Sequence, residues 1–433
     1  MRFLPIILDA TAFNSKVAAS SQRNGKAIGM RASVSNIWAL AVLAVVLLAG
    51  APAHAQQCRP TQSFDAWLDD FKREAAGSGI SKQAMASGLA GVAYDQAIVN
   101  RDRAQGVFSQ SFLQFSGRMV APYRLQGGAE RIAKNKAVFA RIENEFGVPA
   151  PVIVAFWGLE TDFGANIGKD PIIRSLATLA YDCRRPDMFR EQLMAALKII
   201  QRGDLDPQEM IGAWAGELGQ TQFLPTHYFE YGLDYDRDGK VDLRHSAPDV
   251  LASTANLLKA HGWQRGQPWI QEVLAPPEMP WEQADLTIQH PRAQWVRWGV
   301  KAAGDRSLQA DATPASLLLP MGRNGPAFLA YQNFQVYTQW NQSLVYATTA
   351  AYYATRLAGA PPYNKGRAEV PSYSLQEVRQ LQQALNNMGY DAGEADGKLG
   401  VQTRQSVRKA QIKFGLPADA YPSAELFARL RGR

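Results

Sequence analysis

Residues 152 to 168 form the stretch of this chain that most restricts its fold. They read VIVAFWGLETDFGANIG, which places the carboxylate of Glu160 in a run that is otherwise mostly apolar or small. The apolar residues recur at helical spacing, and Pro151 suits the first position of a helix. The pattern predicts a buried helix that carries Glu160 in its last turn and ends at Gly164.

The surroundings predicted for Glu160 indicate a chemical role. A carboxyl group held among Phe156, Trp157 and Phe163 loses solvation, which raises its pKa toward the neutral range. A carboxyl group with such a pKa can act as a general acid. The alternative is a glutamate at a helix end that points to water, as most glutamates do.

A second motif, AWAGELGQTQFLPTHY, occupies residues 213 to 228. Gly216 and Gly219 permit the close approach of a ligand, because glycine carries no side chain. The amides of Gln220 and Gln222 can bind hydroxyl and acetamido groups without carrying charge. This combination is typical of a site that binds sugars.

With both motifs in view, the chain resembles the lytic murein transglycosylases of the membrane-bound lytic transglycosylase B type. GLETDFG is similar to the catalytic-glutamate motif of that family, and GELGQTQFLPTHY is similar to its second signature. The resemblance runs through roughly residues 60 to 358. It implies a mainly α (α+β) fold, with a lysozyme-like catalytic domain over residues 56–358 that contains a small β-rich insertion.

The resemblance also assigns roles to single residues. It implies that Glu160 is catalytic and that a set of small, amide and hydroxyl residues contacts substrate: Gly216, Gln220, Gln222, Asn341 and Tyr346. The last two belong to WNQSLVYA, which is similar to a further family segment in which Trp340 replaces the usual tyrosine. Tyr346 is expected to bond Glu160, although a buried structural tyrosine is an alternative. Ala213 stands where relatives have serine.

Two adjacent arginines, Arg184 and Arg185, are similar to a paired-arginine segment of the family. Arginine can bind a carboxylate through two parallel hydrogen bonds, in bidentate geometry, so the pair is a candidate site for stem-peptide or lactyl carboxylates. The alternative is the solvated start of a helix.

The segment DYDRDGKVD matches the first part of a calcium loop. Such a loop supplies oxygens from positions one, three and five, a turn at Gly239 and a carbonyl at position seven. Position twelve is His245, a poor calcium ligand, and the resemblance implies that a later acidic residue closes the site. The predicted ligands of a structural calcium ion are therefore Asp234, Asp236, Asp238, Lys240 and Asp249. The alternative is a solvated acidic turn, and no cofactor is expected for catalysis.

Length and charge restrict the remaining function classes. A chain of 433 residues exceeds one typical core, so more than one folded unit is expected. Residues 1–55 contribute four of the seven net positive charges, and the rest of the chain has no basic run. Nucleic acid is therefore not an expected partner.

The N-terminal region predicts export. Residues 37–50 form an apolar run that is too short to span a bilayer, and Ala53-His54-Ala55 follows it as a small-x-small cleavage site. Residues 1–55 are therefore interpreted as a signal peptide that directs the protein to the periplasm, with either Met1 or Met30 as the start. The less favoured alternatives are a short membrane anchor and a lipid anchor on Cys58, since Ala55-Gln56-Gln57 lacks the small and apolar residues of a lipoprotein signal.

The C-terminal part of the chain predicts a separate unit. Residues 359–373 are rich in Pro and Gly and indicate a linker with few contacts. Residues 374–433 have the pattern of three helices, and DGKLGVQTRQSVRKAQIKFGL resembles the peptidoglycan-binding domain often fused to cell-wall hydrolases. A small helical domain without affinity for the wall is the alternative.

The resemblance implies a lytic transglycosylase in which Glu160 acts first as acid and then as base. It cleaves the β-1,4 bond between N-acetylmuramic acid and N-acetylglucosamine and forms a 1,6-anhydro ring. Asp162 lies about 200° around the helix from Glu160 and is a poor second acid. Glu217 is another candidate second acid, as a muramidase would require. A catalytically idle scaffold that binds the wall is the third hypothesis. Expected partners are peptidoglycan strands and cell-wall synthesis or remodelling complexes.

The two cysteines, Cys58 and Cys183, both follow the expected cleavage site. In an oxidising compartment we predict that they form a disulfide, which would stabilise the fold by several kcal/mol, roughly, through the long loop that it closes. Thiol titration of the exported protein, denatured without reductant, should detect no free thiol. Two reactive thiols would contradict the prediction.

Overall fold

The computed structural model describes residues 61–104, 110–304 and 307–432. The predicted signal peptide, its apolar run and Cys58 lie outside the described residues, so export and the disulfide stay predictions. Helices within the described ranges are all too short or too polar to cross a bilayer. Contacts among the described residues join them into one compact unit.

Helices dominate the described residues between 61 and 260. They are α1 (Phe64–Gly77), α2 (Lys82–Gly88), α3 (Gln96–Arg103), α4 (Phe112–Met119), α5 (Pro122–Lys134), α6 (Lys136–Phe146), α7 (Ala150–Thr161), α8 (Ile172–Tyr181), α9 (Pro186–Arg202), α10 (Pro225–Tyr231) and α11 (Ala247–Ala260). Two short strands, β1 (Asp170–Pro171) and β2 (Ile211–Gly212), pair antiparallel in this region. The second sequence motif begins directly after β2.

An antiparallel five-stranded sheet follows. Its strands are β3 (Ile270–Leu274), β4 (His290–Pro291), β5 (Lys301–Ala302), β6 (Pro314–Leu318) and β7 (Ala327–Ala330), in the order β4-β6-β7-β3-β5. The short helix α12 (Arg292–Arg297) lies between β4 and β5. Helices α13 (Gln332–Trp340) and α14 (Leu344–Leu357) then return the chain to the helical part. The predicted mainly α fold with a small β insertion is confirmed.

Helix α7 lies at the centre of the helical part, packed against α5, α6, α11 and α14. Every residue of α7 is buried except Pro151 and Glu160, which are partly exposed. The prediction of a buried helix with Glu160 in its last turn is therefore confirmed. An amphipathic helix would show one polar face, whereas this helix is apolar all round because other helices surround it.

The end of α7 differs from the prediction. The helix ends at Thr161, three residues before Gly164, because Asp162 and Phe163 adopt left-handed backbone angles, with φ of 52° and 63°. A buried arginine holds this turn. Arg124 Nη2 donates to Asp162 Oδ2 at 3.1 Å, and Arg124 Nη1 donates to the carbonyl of Met119 at 2.8 Å.

The C-terminal unit contains α15 (Leu375–Asn387), α16 (Val401–Lys413) and α17 (Ala424–Leu430), as predicted. Their small apolar core includes Leu381, Leu385, Val407 and Leu426, each without exposed surface. The core buries few large side chains, so contacts with the rest of the protein matter for its stability.

The C-terminal unit packs on the chain that follows strand β6. Arg404 of α16 is 8% exposed, and its guanidinium donates to the carbonyls of Leu319 and Pro320 at 2.5 and 3.1 Å. The amide of Arg323 donates to Asp419 Oδ2 at 3.0 Å. These bonds fix the unit against the β insertion.

The expectation of few contacts for residues 359–373 is wrong. The amide of Arg367 donates to the carbonyl of Asn324 at 2.8 Å, and a Cβ on Gly366 would lie 2.2 Å from the same carbonyl. The Tyr373 hydroxyl donates to the carbonyl of Pro422 at 3.0 Å. The Pro and Gly composition excludes helix and strand here, but it leaves the backbone free to bond a neighbouring surface.

We predict that Arg404→Ala lowers the free energy of unfolding by roughly 2 kcal/mol, because it leaves two buried carbonyls without a charged donor. Limited proteolysis should then cut faster within residues 359–373. Arg429→Ala is the control, since Arg429 is exposed and pairs only with a glutamate one helical turn away. Equal melting temperatures and cleavage rates for the two variants would contradict the inferred role of Arg404.

Candidate active site

Glu160 receives two hydrogen bonds, one from the last residue of α13 and one from the first turn of α14. Trp340 Nε1 donates to Glu160 Oε1 at 2.9 Å, and the Tyr346 hydroxyl donates to the same oxygen. Within the described residues, Glu160 Oε2 has no protein donor, so that oxygen is left to exchange a proton with a ligand. The arrangement agrees with the expected bond between Tyr346 and Glu160.

The protonation of Glu160 follows from its position. Burial raises its pKa to about 7, and the hydrogen bonds from Tyr346 and Trp340 oppose that rise. A carboxyl group with this pKa holds a proton on a substantial fraction of molecules at neutral pH. It can therefore act as a general acid and, once ionised, as a base.

Trp340 also forms part of an aromatic wall beside Glu160. Its ring centroid lies 4.3 Å from that of Phe156 and 5.8 Å from that of Phe223. Phe156 belongs to α7, and Phe223 belongs to the second sequence motif. The indole therefore connects three segments that are distant in sequence. Its N–H group is a donor at the position where the sequence resemblance would lead one to expect a tyrosine.

Residues 218–223 of the second motif form a tight turn. The amides and carbonyls of Leu218 and Phe223 bond each other at 2.8 Å. Gly216 has a φ of +106°, and a Cβ there would lie 2.4 Å from Leu176 Cδ2. Gly216 is thus required by packing, and it brings its two neighbours, Ala215 and Glu217, to the surface of a cleft.

This cleft contains Glu160 and residues from both motifs. Its polar lining residues are Glu160, Glu217, Gln222, His227, His261 and Asn341. Its apolar lining residues are Met188, Phe189, Ala215, Phe223, Leu224, Leu257 and Trp340. A cleft with apolar walls and a few convergent polar groups suits an uncharged polar ligand such as a sugar.

The structure separates the two predicted glutamines. Gln222 lines the cleft, with its Nε2 donating to the carbonyl of Gly219 at 2.9 Å. Gln220 does not line it: its Oε1 accepts from Trp157 Nε1 at 2.8 Å, and its Nε2 donates to the carbonyl of Arg244 at 2.7 Å. The prediction of substrate contact for Gln220 is corrected on this ground, because its amide is already bonded within the protein.

The paired arginines lie outside the residues that line the cleft. Arg184 Nη1 and Arg185 Nη2 donate to the two carboxylate oxygens of Asp102 at 2.8 and 2.6 Å. Asp102 is 1% exposed, so the pairs neutralise a buried charge. Binding of a substrate carboxylate by these arginines stays a prediction, and the geometry favours a structural role.

Sequence reasoning gave Glu217 only a secondary role and missed His227 and His261. His227 belongs to the quoted second motif, and burial lowers its pKa to about 4. Burial also lowers the pKa of His261, which follows α11 and approaches His227 at 5.9 Å between ring centroids. Both imidazoles are therefore neutral at neutral pH. The distance in sequence between His261 and the motifs left no local signal for it.

The predicted calcium loop brings together three of its five candidate ligands. Carboxylate oxygens of Asp234, Asp236 and Asp249 lie within 4.8 Å of one another. The side chain of Asp238 instead accepts from the amide of Lys240 at 3.0 Å. Asp249 is fully buried in the first turn of α11, and burial raises its pKa. Three convergent carboxylates fit a hard cation such as calcium.

Comparisons with known proteins agree with this architecture. Residues 63–355 match the family model described as "Transglycosylase SLT domain", and residues 374–430 match "Putative peptidoglycan binding domain". The chain is 30% identical over 238 residues to membrane-bound lytic murein transglycosylase B of Escherichia coli (strain K12). That alignment covers 55% of this chain and 64% of the relative, so the chain spans less than two thirds of that relative's length.

Solved structures are similar over a larger share. SltB3 from Pseudomonas aeruginosa, in complex with NAG-anhNAM-pentapeptide, is 41% identical, with a TM-score of 0.78 over 86% of this chain and 100% of that one. Soluble lytic transglycosylase SltB1 from the same organism is 26% identical, with a TM-score of 0.60 over 67% of this chain and 98% of that one. The first family model matches well over half of the residues of this chain. The chain therefore belongs to the transglycosylase SLT domain family, with a peptidoglycan-binding domain after the catalytic part.

Proposed function

We propose that this protein is a peptidoglycan lytic transglycosylase. Its substrate is the β-1,4 bond between N-acetylmuramic acid and N-acetylglucosamine, and its product carries 1,6-anhydro-N-acetylmuramic acid. The observation that carries the proposal is Glu160, a carboxyl with a pKa of about 7 in a cleft with apolar walls. The resemblance to a P. aeruginosa enzyme solved with an anhydro-muropeptide supports the same product.

The mechanism requires one carboxyl group. Glu160 gives its proton to the glycosidic oxygen as the bond from that oxygen to C1 of N-acetylmuramic acid breaks. The acetamido group of the substrate can stabilise the positive charge that develops at C1. The ionised Glu160 then takes the proton of the C6 hydroxyl, whose oxygen bonds to C1. Glu160 is restored, and no water is consumed.

The hydrogen bonds at Glu160 suit both halves of this reaction. Trp340 and Tyr346 donate to Oε1, so they stabilise the ionised form after the first proton transfer. Burial opposes ionisation, so the two effects hold the pKa between those of a free acid and a permanently protonated group.

A muramidase is the second candidate, because the cleft contains another carboxyl group, that of Glu217. A hydrolase of the usual kind uses two carboxyl groups, one on each side of the bond. Asp162 is unsuited to that role, since its carboxylate is bound to Arg124. The two candidates differ in product: a muramidase releases a reducing end, whose mass exceeds that of the anhydro end by one water.

We further propose that the protein is exported to the periplasm and that its C-terminal unit binds the wall. The apolar run with its cleavage site supports export, and the family match over residues 374–430 supports wall binding. A disulfide between Cys58 and Cys183 belongs to the same proposal. A structural calcium ion at Asp234, Asp236 and Asp249 would neutralise three convergent carboxylates beside α11.

We predict that Glu160→Gln reduces the release of anhydro-muropeptides from purified sacculi by about 10²- to 10⁴-fold, because the amide has no proton to transfer. The variant should fold normally, since the amide oxygen still accepts from Trp340 and Tyr346. Mass spectrometry of the released products is the measurement, and the exposed Glu230→Gln is the control.

Three outcomes would overturn this assignment. The first is undiminished release of anhydro product by a folded Glu160→Gln variant. The second is a wild-type product with reducing ends alone, which would assign the protein as a muramidase. The third is the absence of any wall cleavage by the wild type, which would leave only a wall-binding scaffold. The control variant should cleave the wall as the wild type does.

We predict that calcium chloride raises the melting temperature of the wild type, because an ion that binds only the folded state stabilises it by about 2.7 kcal/mol at a hundred times its dissociation constant. Asp236→Asn should abolish this shift, and since Asp236 is exposed the variant should still fold. Magnesium chloride at equal concentration is the control for ionic strength. A melting temperature that does not respond to calcium would rule out the site.

A further inference from the structure

Glu217 is a buried carboxyl group with no role in the single-glutamate reaction. It follows Gly216 in the second motif, is 8% exposed and lines the same cleft as Glu160. The nearby backbone N–H groups of Ala215 and Glu217 favour the ionised form of its carboxyl and oppose the effect of burial on its pKa. Its Oε2 is buried and has no hydrogen-bond partner within the described residues. Buried polar atoms are almost always bonded, so an unbonded carboxyl oxygen at a residue that lines a cleft leaves that carboxyl group free to hold a proton or to bond a ligand.

The charged and titratable groups around Glu217 come from four elements. Glu160 of α7 adds negative charge, and Arg185, just before α9, adds positive charge that is shared with the buried Asp102. His227 of α10 and His261 after α11 line the cleft as neutral imidazoles. Neither histidine therefore balances a second negative charge.

Two carboxyl groups in one largely enclosed cleft do not ionise independently. The pKa of Glu217 is raised to about 7, mainly by burial, and the negative charge of Glu160 contributes to this rise. The state with both groups ionised is disfavoured, so the loss of a proton from one group makes the other keep its own. Glu217 is most firmly protonated when Glu160 has just given up its proton.

We propose that Glu217 is a positioning residue that, in its protonated form, donates a hydrogen bond from its carboxyl group to a hydroxyl or acetamido oxygen of the glycan in the cleft. This inference rests on the proposed function and deepens it. Glu217 transfers no proton in the reaction and forms no bond to carbon. Its hydrogen bond holds the sugar in place during the interval in which Glu160 is ionised and the C6 oxygen closes on C1.

The test compares Glu217→Gln with Glu217→Ala on soluble glycan fragments, with anhydro product measured across pH. Glutamine keeps a donor and an acceptor but does not titrate, whereas alanine removes both. We expect Glu217→Gln to keep kcat/KM within about twofold of wild type at acidic pH, and Glu217→Ala to lose about tenfold. Glu230→Gln again serves as the control.

The pH profile gives a readout that a merely structural residue would not change. Above neutral pH, log kcat/KM of the wild type should fall with a slope approaching about −2, since Glu160 and Glu217 must both be protonated. In Glu217→Gln the slope should approach about −1, because Glu160 alone titrates. Melting temperatures show whether each variant folds.

Three results would overturn the inference: an unchanged slope in Glu217→Gln, full activity in Glu217→Ala, or equal losses in both variants. The last result would mean that the ionised carboxylate is required instead. Failure of the proposed function can be told apart from failure of this inference, because the wild type itself would then release no anhydro product.

Discussion

The ion pair between Arg124 and Asp162 is the interaction on which the site depends most. Asp162 directly follows the helix that carries Glu160 and has left-handed backbone angles that few residues other than glycine adopt. Arg124 holds the Asp162 carboxylate and the carbonyl of Met119, while its own carbonyl accepts from the Tyr353 hydroxyl. Arg124 thus joins α4, α5, α7 and α14 at the end of the helix that carries Glu160.

This arrangement reflects a conflict between stability and chemistry. An ionisable carboxyl in an enclosed cleft destabilises the fold, and a second one, Glu217, adds to that effect. The apolar helix around Glu160, the aromatic wall of Trp340 and the two donors to Oε1 offset it. Active sites commonly carry such locally unfavourable groups, and surrounding packing holds them in place.

Local patterns in the sequence predicted what depends on local physics. The apolar run identified α7 and Glu160, and the glycines and amide side chains identified the second motif. Contacts between distant segments were not predictable in the same way. Gln220 and Gln222 have the same side chain and lie two positions apart, yet only the folded chain shows that one is bonded to Trp157 and Arg244 while the other lines the cleft. His261 and Arg124 gave no local signal because their partners lie far along the chain.

The bonds made by Arg404 and by residues 359–373 bear on how the enzyme meets its polymer. A wall-binding unit on a flexible linker would let the cleft reach any bond within the length of that linker. If the C-terminal unit binds the wall as proposed, its fixed position against the β insertion keeps a constant spacing between the strand that it holds and the cleft that contains Glu160. The position of the bound strand would then restrict which bonds can enter the cleft.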